Sequence, residues 1–278
     1  MFIATWRGFS SPRGRDPDRP DWPVVLQSRL GTARPGVGVR LGYPARDVVV
    51  GPLTQPREER RSAQWAEVVR RNLNVSAAAL LIVLTLPVMI LIALAVRLTS
   101  PGPVIFTQPR VGVDRRRDDP NVPVDPRRRE DHGGRIFWIY KFRTMRPRSD
   151  GDNGQRWASE EPERITTVGR ILRRYRLDEL PQLFNVLKGD MNLVGPRPEQ
   201  PEIFKQLRDE IDGYQQRQRV LPGITGLAQV NQDYDQCVED VRRKVTLDLA
   251  YVERESPLED LRIMAQTVPV VLLGKGAT

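Results

Sequence analysis

Hydrophobic positions along the chain fall into one unbroken block and a series of short amphipathic segments, separated by polar, proline-rich stretches. The block is Val75 to Val96, VSAAALLIVLTLPVMILIALAV, which carries no charge and has only Ser76 and Thr85 as polar side chains. As a straight helix it would extend about 33 Å, roughly one bilayer core. Pro87 lies near its middle and interrupts the helical ladder. Arg60, Arg61, Arg70 and Arg71 precede the block, and Arg97, Arg110 and Arg115 to Arg117 follow it. A spanning helix usually has positive charge on one side only. The pattern therefore favours a re-entrant hairpin that enters and leaves by the cytoplasmic face, with a spanning helix as the open alternative. Trp65 and the amphipathic run Gln64 to Asn74 are predicted to lie at the interface.

The remaining pattern predicts a mainly α architecture with short β segments. Thr99-Ser100-Pro101-Gly102-Pro103 reads as a sharp turn. Val104 to Phe106 is a candidate strand, and Ile136 to Met145 is a strand or interfacial segment in which Lys141 and Arg143 share a face. Thr167 to Arg176 is a basic amphipathic helix. Ile203 to Gln218 is a polar helix, Leu221 to Val230 a turn and short strand, and Val238 to Glu255 a helix bearing Asp248 and Tyr251. Gly223 and Gly226 are expected to let backbone approach a ligand. Leu258 to Leu273 is apolar, amphipathic and interrupted by Pro269.

Among these segments Leu177 to Pro198, LDELPQLFNVLKGDMNLVGPRP, carries the most chemistry. Leu180, Leu183, Phe184 and Leu187 fall at i, i+3, i+4 and i+7. Pro181 suits a first turn, and Gly189 suits a C-terminal stop. Asp178 and Glu179 then lie at or just before a helix N-terminus, which favours anions. Either they cap that helix, or they work with the cations around them. Arg170, Arg173, Arg174 and Arg176 come immediately before, and Arg197 is mounted between Pro196 and Pro198. Cations beside carboxylates keep them ionised and bind phosphates in the same pocket.

Composition narrows the choice. The net charge of +9 suits nucleic acid, anionic lipid or phosphorylated substrates. Cys237 is the one cysteine and His132 the one histidine, which excludes an intrachain disulfide and argues against a Cys/His zinc site or a Ser-His-Asp triad. No P-loop pattern occurs, and Gly36-Val37-Gly38 lacks the context of a dinucleotide fold. Residues 1–60 hold too little apolar side chain to offset chain entropy and are expected to be a disordered basic arm. The expected order is this arm at 1–60, the interfacial and re-entrant helices at 61–98, and one folded domain at 99–278.

The segments Lys141-Phe142-Arg143-Thr144-Met145, Leu177 to Gln182, Asn185 to Met191, Val194-Gly195-Pro196-Arg197-Pro198 and Pro222-Gly223-Ile224-Thr225-Gly226 are together specific. Through them the chain resembles the bacterial sugar transferases, the monotopic polyprenyl-phosphate phosphoglycosyl transferases. The likeness runs from about residue 70 to 276. It implies transfer of a phospho-sugar from a UDP-sugar to undecaprenyl phosphate, with UMP released, at the start of polysaccharide or glycoconjugate synthesis. It implies a re-entrant helix broken at Pro87 and a catalytic domain on the cytoplasmic face of the inner membrane. It also implies Asp178 as covalent nucleophile, Glu179 as a Mg²⁺ ligand, and Arg197 as the Pro-Arg-Pro arginine. The substrate- and phosphate-binding set is then Lys141, Arg143, Arg174, Arg176, Arg197, Arg219 and Asp248. Two positions depart from the family pattern. Leu86 stands where many members carry Ser, and Leu221 stands where many carry Arg, so that a phosphate contact is either missing or supplied by Arg219 instead.

The implied partners are a UDP-sugar, undecaprenyl phosphate and the lipid bilayer, with a homodimer expected and no nucleic acid. The rival mechanism keeps Asp178 as a base or metal ligand in a single displacement. The rival function is a non-catalytic membrane-anchored scaffold, or a phosphate- or nucleic-acid-binding protein that uses its arginines.

Overall fold

The computed structural model describes residues 57–114, 132–146, 162–232 and 238–273, with side chains from residue 65 in the first stretch and from residue 240 in the last. The expectations for the arm up to residue 56, for Arg115 to Arg117 and for Cys237 lie outside these residues. The architecture is mostly helical with a few short strands.

Helix α1, Arg57–Thr99, contains both the amphipathic run and the apolar block, with Pro87 inside it. The interfacial and membrane segments expected from sequence are thus one element. A single stripe faces the rest of the molecule: Asn74, Ala78, Met89, Ile92 and Val96 are buried. Leu80, Leu81, Val83, Leu84, Leu91 and Leu94 face outward and are exposed. The helix is long and apolar enough to cross a membrane.

Polar side chains fasten its first half. Arg70 donates to Asp260 at 2.8 Å, pairs with Glu255 and reaches the Tyr251 hydroxyl. Arg71 donates to the Val186 carbonyl at 2.6 Å, and Asn74 Oδ1 accepts from the Leu193 amide at 2.7 Å. Arg70 and Arg71, part of the basic flank before the apolar block, are therefore used on the protein. Its C-terminal end is fastened as well, because Arg143 donates to the Ser100 carbonyl.

Strands β1, Ile105–Val111, and β2, Ile136–Phe142, form an antiparallel pair in which Ile105 opposes Phe142 and Val111 opposes Ile136. Helix α2, Thr167–Arg174, starts at a Thr166 cap that accepts from the Gly169 amide at 2.9 Å. A 3₁₀ turn over Leu177–Glu179 leads to α3, Gln182–Lys188, which ends at Gly189 in the left-handed region, φ 87°. The proline at the helix start and the glycine stop are as the sequence predicts, and the carboxylates lie just before the helix.

The buried face of α3 is different from the predicted one. Gln182, Leu183, Asn185 and Val186 are buried, whereas Phe184 and Leu187 are exposed. Asn185 decides this. Its amide bonds the edge of β2, accepting from Tyr140 N at 3.0 Å and donating to the Trp138 carbonyl at 2.7 Å. A polar side chain thus completes the sheet edge and turns the helix about its axis.

Strand β3, Asn192–Val194, pairs in parallel with β4, Gly223–Thr225. Between them lies α4, Pro201–Glu210, which is shorter than the predicted helix. The chain is extended at Ile211 and left-handed at Gly213, and it resumes as a 3₁₀ turn at Tyr214–Arg219. Then come α5, Leu227–Asn231, α6, Val238–Arg254, and α7, Pro257–Leu272, with Pro269 inside. One apolar cluster joins Ala78, Phe137, Ile139, Leu183, Val186, Leu193, Val194, Tyr251 and Ile263. A second joins Met89, Ile92 and Val96 of α1 to Phe142 and Leu172. Each such aliphatic side chain contributes about 1.5–3 kcal/mol of transfer free energy.

Glycine closes two contacts that place the site. A Cβ at Gly169 would lie 2.0 Å from the Thr144 carbonyl oxygen, and one at Gly223 would lie 2.0 Å from Gly195 N. The second contact corrects the ligand-approach expectation for Gly223: what it admits is the neighbouring strand. Gly169→Ala is expected to lower stability by about 1–3 kcal/mol. A thermal melt that is unchanged within 1 °C, on the order of 0.3 kcal/mol for this size, would show that α2 does not dock on Thr144 as described.

Candidate active site

The 3₁₀ turn Leu177–Glu179 places two adjacent carboxylates in different surroundings. It follows Arg176, the one non-glycine residue with positive φ among the described residues, at 53°. A left-handed arginine is uncommon, and such strain gathers at functional sites. Glu179 is buried. Its Oε1 accepts from Lys141 Nζ at 3.0 Å and from Arg197 Nη2 at 2.8 Å, while Oε2 lies 3.5 Å from Arg197 Nη1. Burial alone would raise the Glu179 pKa, but Arg197 and Lys141 outweigh it and hold the carboxyl well below the usual range. Asp178 is half-buried and makes no side-chain hydrogen bond among the described residues. Burial, and then the Glu179 charge, push it up to about 6 against the pull of Lys141, Arg197 and Arg173. One carboxylate is locked by cations, and the other is left unbonded beside them.

The cations are rigidly mounted. Lys141 is on β2; burial pushes its ammonium down against the pull of Glu179. Arg197 sits in a segment whose backbone is held at almost every residue. Gly195 N donates to the Thr225 carbonyl, the Pro196 carbonyl accepts from Gly223 N, and the Pro198 carbonyl accepts from Arg110. The Arg197 carbonyl accepts from Arg217 Nη2 at 3.0 Å. Arg217 is itself buried, bonded to Asp248 at 2.7 Å and to the Tyr214 hydroxyl at 2.7 Å. Beside them Glu199 pairs with Lys244 at 2.9 Å and with Arg110 at 3.8 Å.

Of the residues singled out in the sequence, Asp178, Glu179, Lys141 and Arg197 come together. Arg176, three residues earlier, adds its charge to Glu179. Arg174 is exposed and stacks over Tyr175, so Arg173, tied to Thr144 Oγ1 at 3.1 Å, is the α2 arginine that acts on Asp178. Arg219 is half-buried at the end of its 3₁₀ turn. Arg143 leaves the shared face expected with Lys141, because β2 ends at Phe142 and the arginine turns to Ser100. Asp248, expected to bind phosphate, is sealed against Arg217 and supports the Arg197 backbone. Sequence reasoning missed Arg110, Arg217 and Glu199, whose partners are distant in sequence.

The donors suit a magnesium ion in a limited way. Among the described residues, no three His, Cys, Asp or Glu side chains gather as a metal cage. Mg²⁺ keeps several waters and is usually held by one or two carboxylates plus substrate phosphates. Glu179 Oε2, with only a long contact, and the unbonded Asp178 fit that description.

A family model described as bacterial sugar transferase matches residues 65–274. Over 209 residues the chain is 40% identical to the UDP-N-acetylgalactosamine-undecaprenyl-phosphate N-acetylgalactosaminephosphotransferase of Aeromonas hydrophila, covering 75% of this chain and 45% of that one. Over 257 residues it is 40% identical to a UDP-glucose:undecaprenyl-phosphate glucose-1-phosphate transferase of Caulobacter vibrioides, covering 90% and 86%. Over 211 residues it is 38% identical to the Escherichia coli protein of the same name, covering 75% and 41%. The chain thus spans under half the length of two of these relatives and most of the third.

Proposed function

The chain belongs to the bacterial sugar transferase family, and from that membership we propose that it moves a phospho-sugar from a UDP-sugar to undecaprenyl phosphate at the cytoplasmic face of the inner membrane. The observation that carries this reading is the unequal pair: a hydrogen-bonded, cation-locked Glu179 beside an unbonded Asp178. Phosphoryl transfer depends on positioning and charge neutralisation. Lys141, Arg197 and Arg173 surround the pair with positive charge. Phosphate oxygens are stabilised there as charge shifts to the leaving group.

In this mechanism Asp178 Oδ attacks the phosphorus next to the sugar. The bond from that phosphorus to the bridging oxygen breaks, and UMP leaves with the electron pair. The aspartyl phosphate so formed is attacked by an oxygen of the polyprenyl phosphate, which frees the carboxylate and yields the polyprenyl-diphosphate sugar. No proton must be removed from a dissociated phosphate, consistent with a site built without histidine. Bound Mg²⁺, held by Glu179 and the diphosphate, would supply neutralisation of the diphosphate charge.

Membrane placement is supported by how α1 is fastened. Arg70, Arg71 and Asn74 attach one end of the apolar block to the same folded unit that Arg143 attaches at Ser100. A helix crossing the bilayer would carry these ends to opposite faces, so re-entry from one face is the reading we adopt. Exposed Trp65, Val69 and Leu73 of α1, and Leu258, Leu261 and Val268 of α7, suit an interfacial bed.

The test is UMP release by the protein in nanodiscs with a panel of UDP-sugars. Release beyond one UMP per protein is expected to require undecaprenyl phosphate, and all release is expected to require Mg²⁺ and to stop on chelation. Release that continues unchanged without the polyprenyl phosphate, or none from folded protein with any sugar, would remove the reading.

A further inference from the structure

Three of the buried polar atoms that have no hydrogen-bond partner among the described residues lie at one place. They are Arg143 Nε, Arg143 Nη1 and Ser100 Oγ. Arg143 is only 7% exposed and Ser100 only 4%. Arg143 Nη2 donates to the Ser100 carbonyl at 2.6 Å, which puts the guanidinium against the turn after α1. Arg97 reaches the same turn, its Nη1 3.4 Å from the Gly102 carbonyl. Burial first, and then the like charge of Arg97, push the Arg143 guanidinium down, so the two cations repel. An unmet buried donor is costly, more so on a charged group, and an apolar side chain of similar size would avoid the cost. A phosphate resolves all of this. Its oxygens can accept from one of the two unmet guanidinium donors and from the serine hydroxyl, and its charge neutralises the two like charges.

The geometry points to a second anion site, at the end of α1 and separate from the dyad, where Arg143, Arg97 and Ser100 hold a phosphate carried on a membrane lipid. The lipid class follows from the rim. Arg97 directly follows the apolar block, and Leu94 and Leu98 beside it are 55% and 76% exposed. Ile105 and Phe106 are exposed as well, and Ile105 opposes Phe142, the residue before Arg143. A headgroup in this turn has its tail against apolar side chains, whereas a soluble sugar nucleotide gains nothing from them. Lys141, two residues earlier, turns instead to Glu179. The phosphates of the two substrates thereby acquire different arginines. The assignment of the lipid as the acceptor rests on the transferase reading, but the site itself does not.

Binding to the full chain in detergent is measured by native mass spectrometry with four probes: undecaprenyl phosphate, undecaprenol, phosphatidylglycerol and inorganic phosphate. Undecaprenyl phosphate is expected to bind and undecaprenol to bind at least tenfold more weakly. Arg143→Gln and Arg97→Gln are each expected to weaken the lipid phosphate about tenfold. Arg97 is exposed, so its variant tests the site without disturbing the core. Phosphatidylglycerol that binds equally and is lost equally identifies bulk phospholipid as the occupant, which supports the site and removes the acceptor assignment. Unchanged lipid affinity in Arg97→Gln together with folded Arg143→Gln overturns the site, as does inorganic phosphate that binds as tightly as either lipid. No turnover is needed, so a failure here is distinct from absent UMP release.

Discussion

Asp178→Asn is expected to lower UMP release by about 10³-fold or more, the scale seen when a group that carries the reacting bond is removed, and at the same time to make the protein more stable. The two effects share a cause. Asp178 is half-buried beside the ionised Glu179, has no side-chain hydrogen bond among the described residues, and is pushed up to about 6. Its folded pKa is therefore above the ordinary aspartate value of about 3.9. A carboxyl raised in the fold weakens the folded state once it ionises, so the penalty is full above about pH 6 and absent below about pH 4. Asparagine has nearly the same shape and no charge. At pH 7.5 the gain should be about 1–2 kcal/mol, or several degrees in thermal midpoint, and the difference from the native chain should shrink as pH falls from 6 to 4. Calorimetry of both proteins at pH 7.5 and 4.5 measures it. A variant that melts lower than the native chain at pH 7.5 would show that Asp178 is not held against its own charge. A variant that keeps UMP release would remove it as the nucleophile.

Much of this site can be read in the sequence because its determinants are local. Asp178 and Glu179 are adjacent, Pro181 and Gly189 bracket one short helix, and Arg197 lies between prolines. Each of these is set by backbone preferences over a few residues. Other features depend on contacts that no spacing encodes. Asn185 turns α3 by bonding Trp138 and Tyr140, 47 and 45 positions away, and so exposes Phe184 and Leu187 where periodicity predicts burial. Arg143 departs from the alternation with Lys141 because the strand stops at Phe142. The polar helix expected through Gln218 ends at Glu210 because Gly213 takes a left-handed conformation, a signal that was present in the glycine itself. Gly223 pairs with Asn192 across β3 and β4 and packs against the Gly195 amide. The apolar block was plain, but its attachment by Arg70, Arg71 and Asn74 was not, since basic residues beside such a block read equally well as lipid contacts.

Arg217→Met is expected to give the largest loss of stability, about 3–5 kcal/mol, because it leaves Asp248 charged and sealed without its partner. Arg217 is 1% exposed and Asp248 is 1% exposed. The guanidinium is fully committed: to Asp248 through Nε and Nη2, to the Tyr214 hydroxyl through Nη1, and to the Arg197 carbonyl through Nη2. The ion pair itself is not where the stability lies, since two buried charges cost nearly as much to desolvate as they return. Arg217→Met combined with Asp248→Leu should therefore recover most of the loss, and the coupling in the double-mutant cycle should amount to at least half of the single-variant effect. Activity should not recover with it. The Arg197 carbonyl has then lost its donor, and the cation that locks Glu179 is mounted on a freer backbone. The expected signature is a near-native melt with UMP release still down about tenfold or more, since small misplacements of a positioning group are expensive. Full activity in the stable double variant would confine Arg217 and Asp248 to folding. A double variant as unstable as the single one would mean that the loss comes from packing around Tyr214 and not from the orphaned charge.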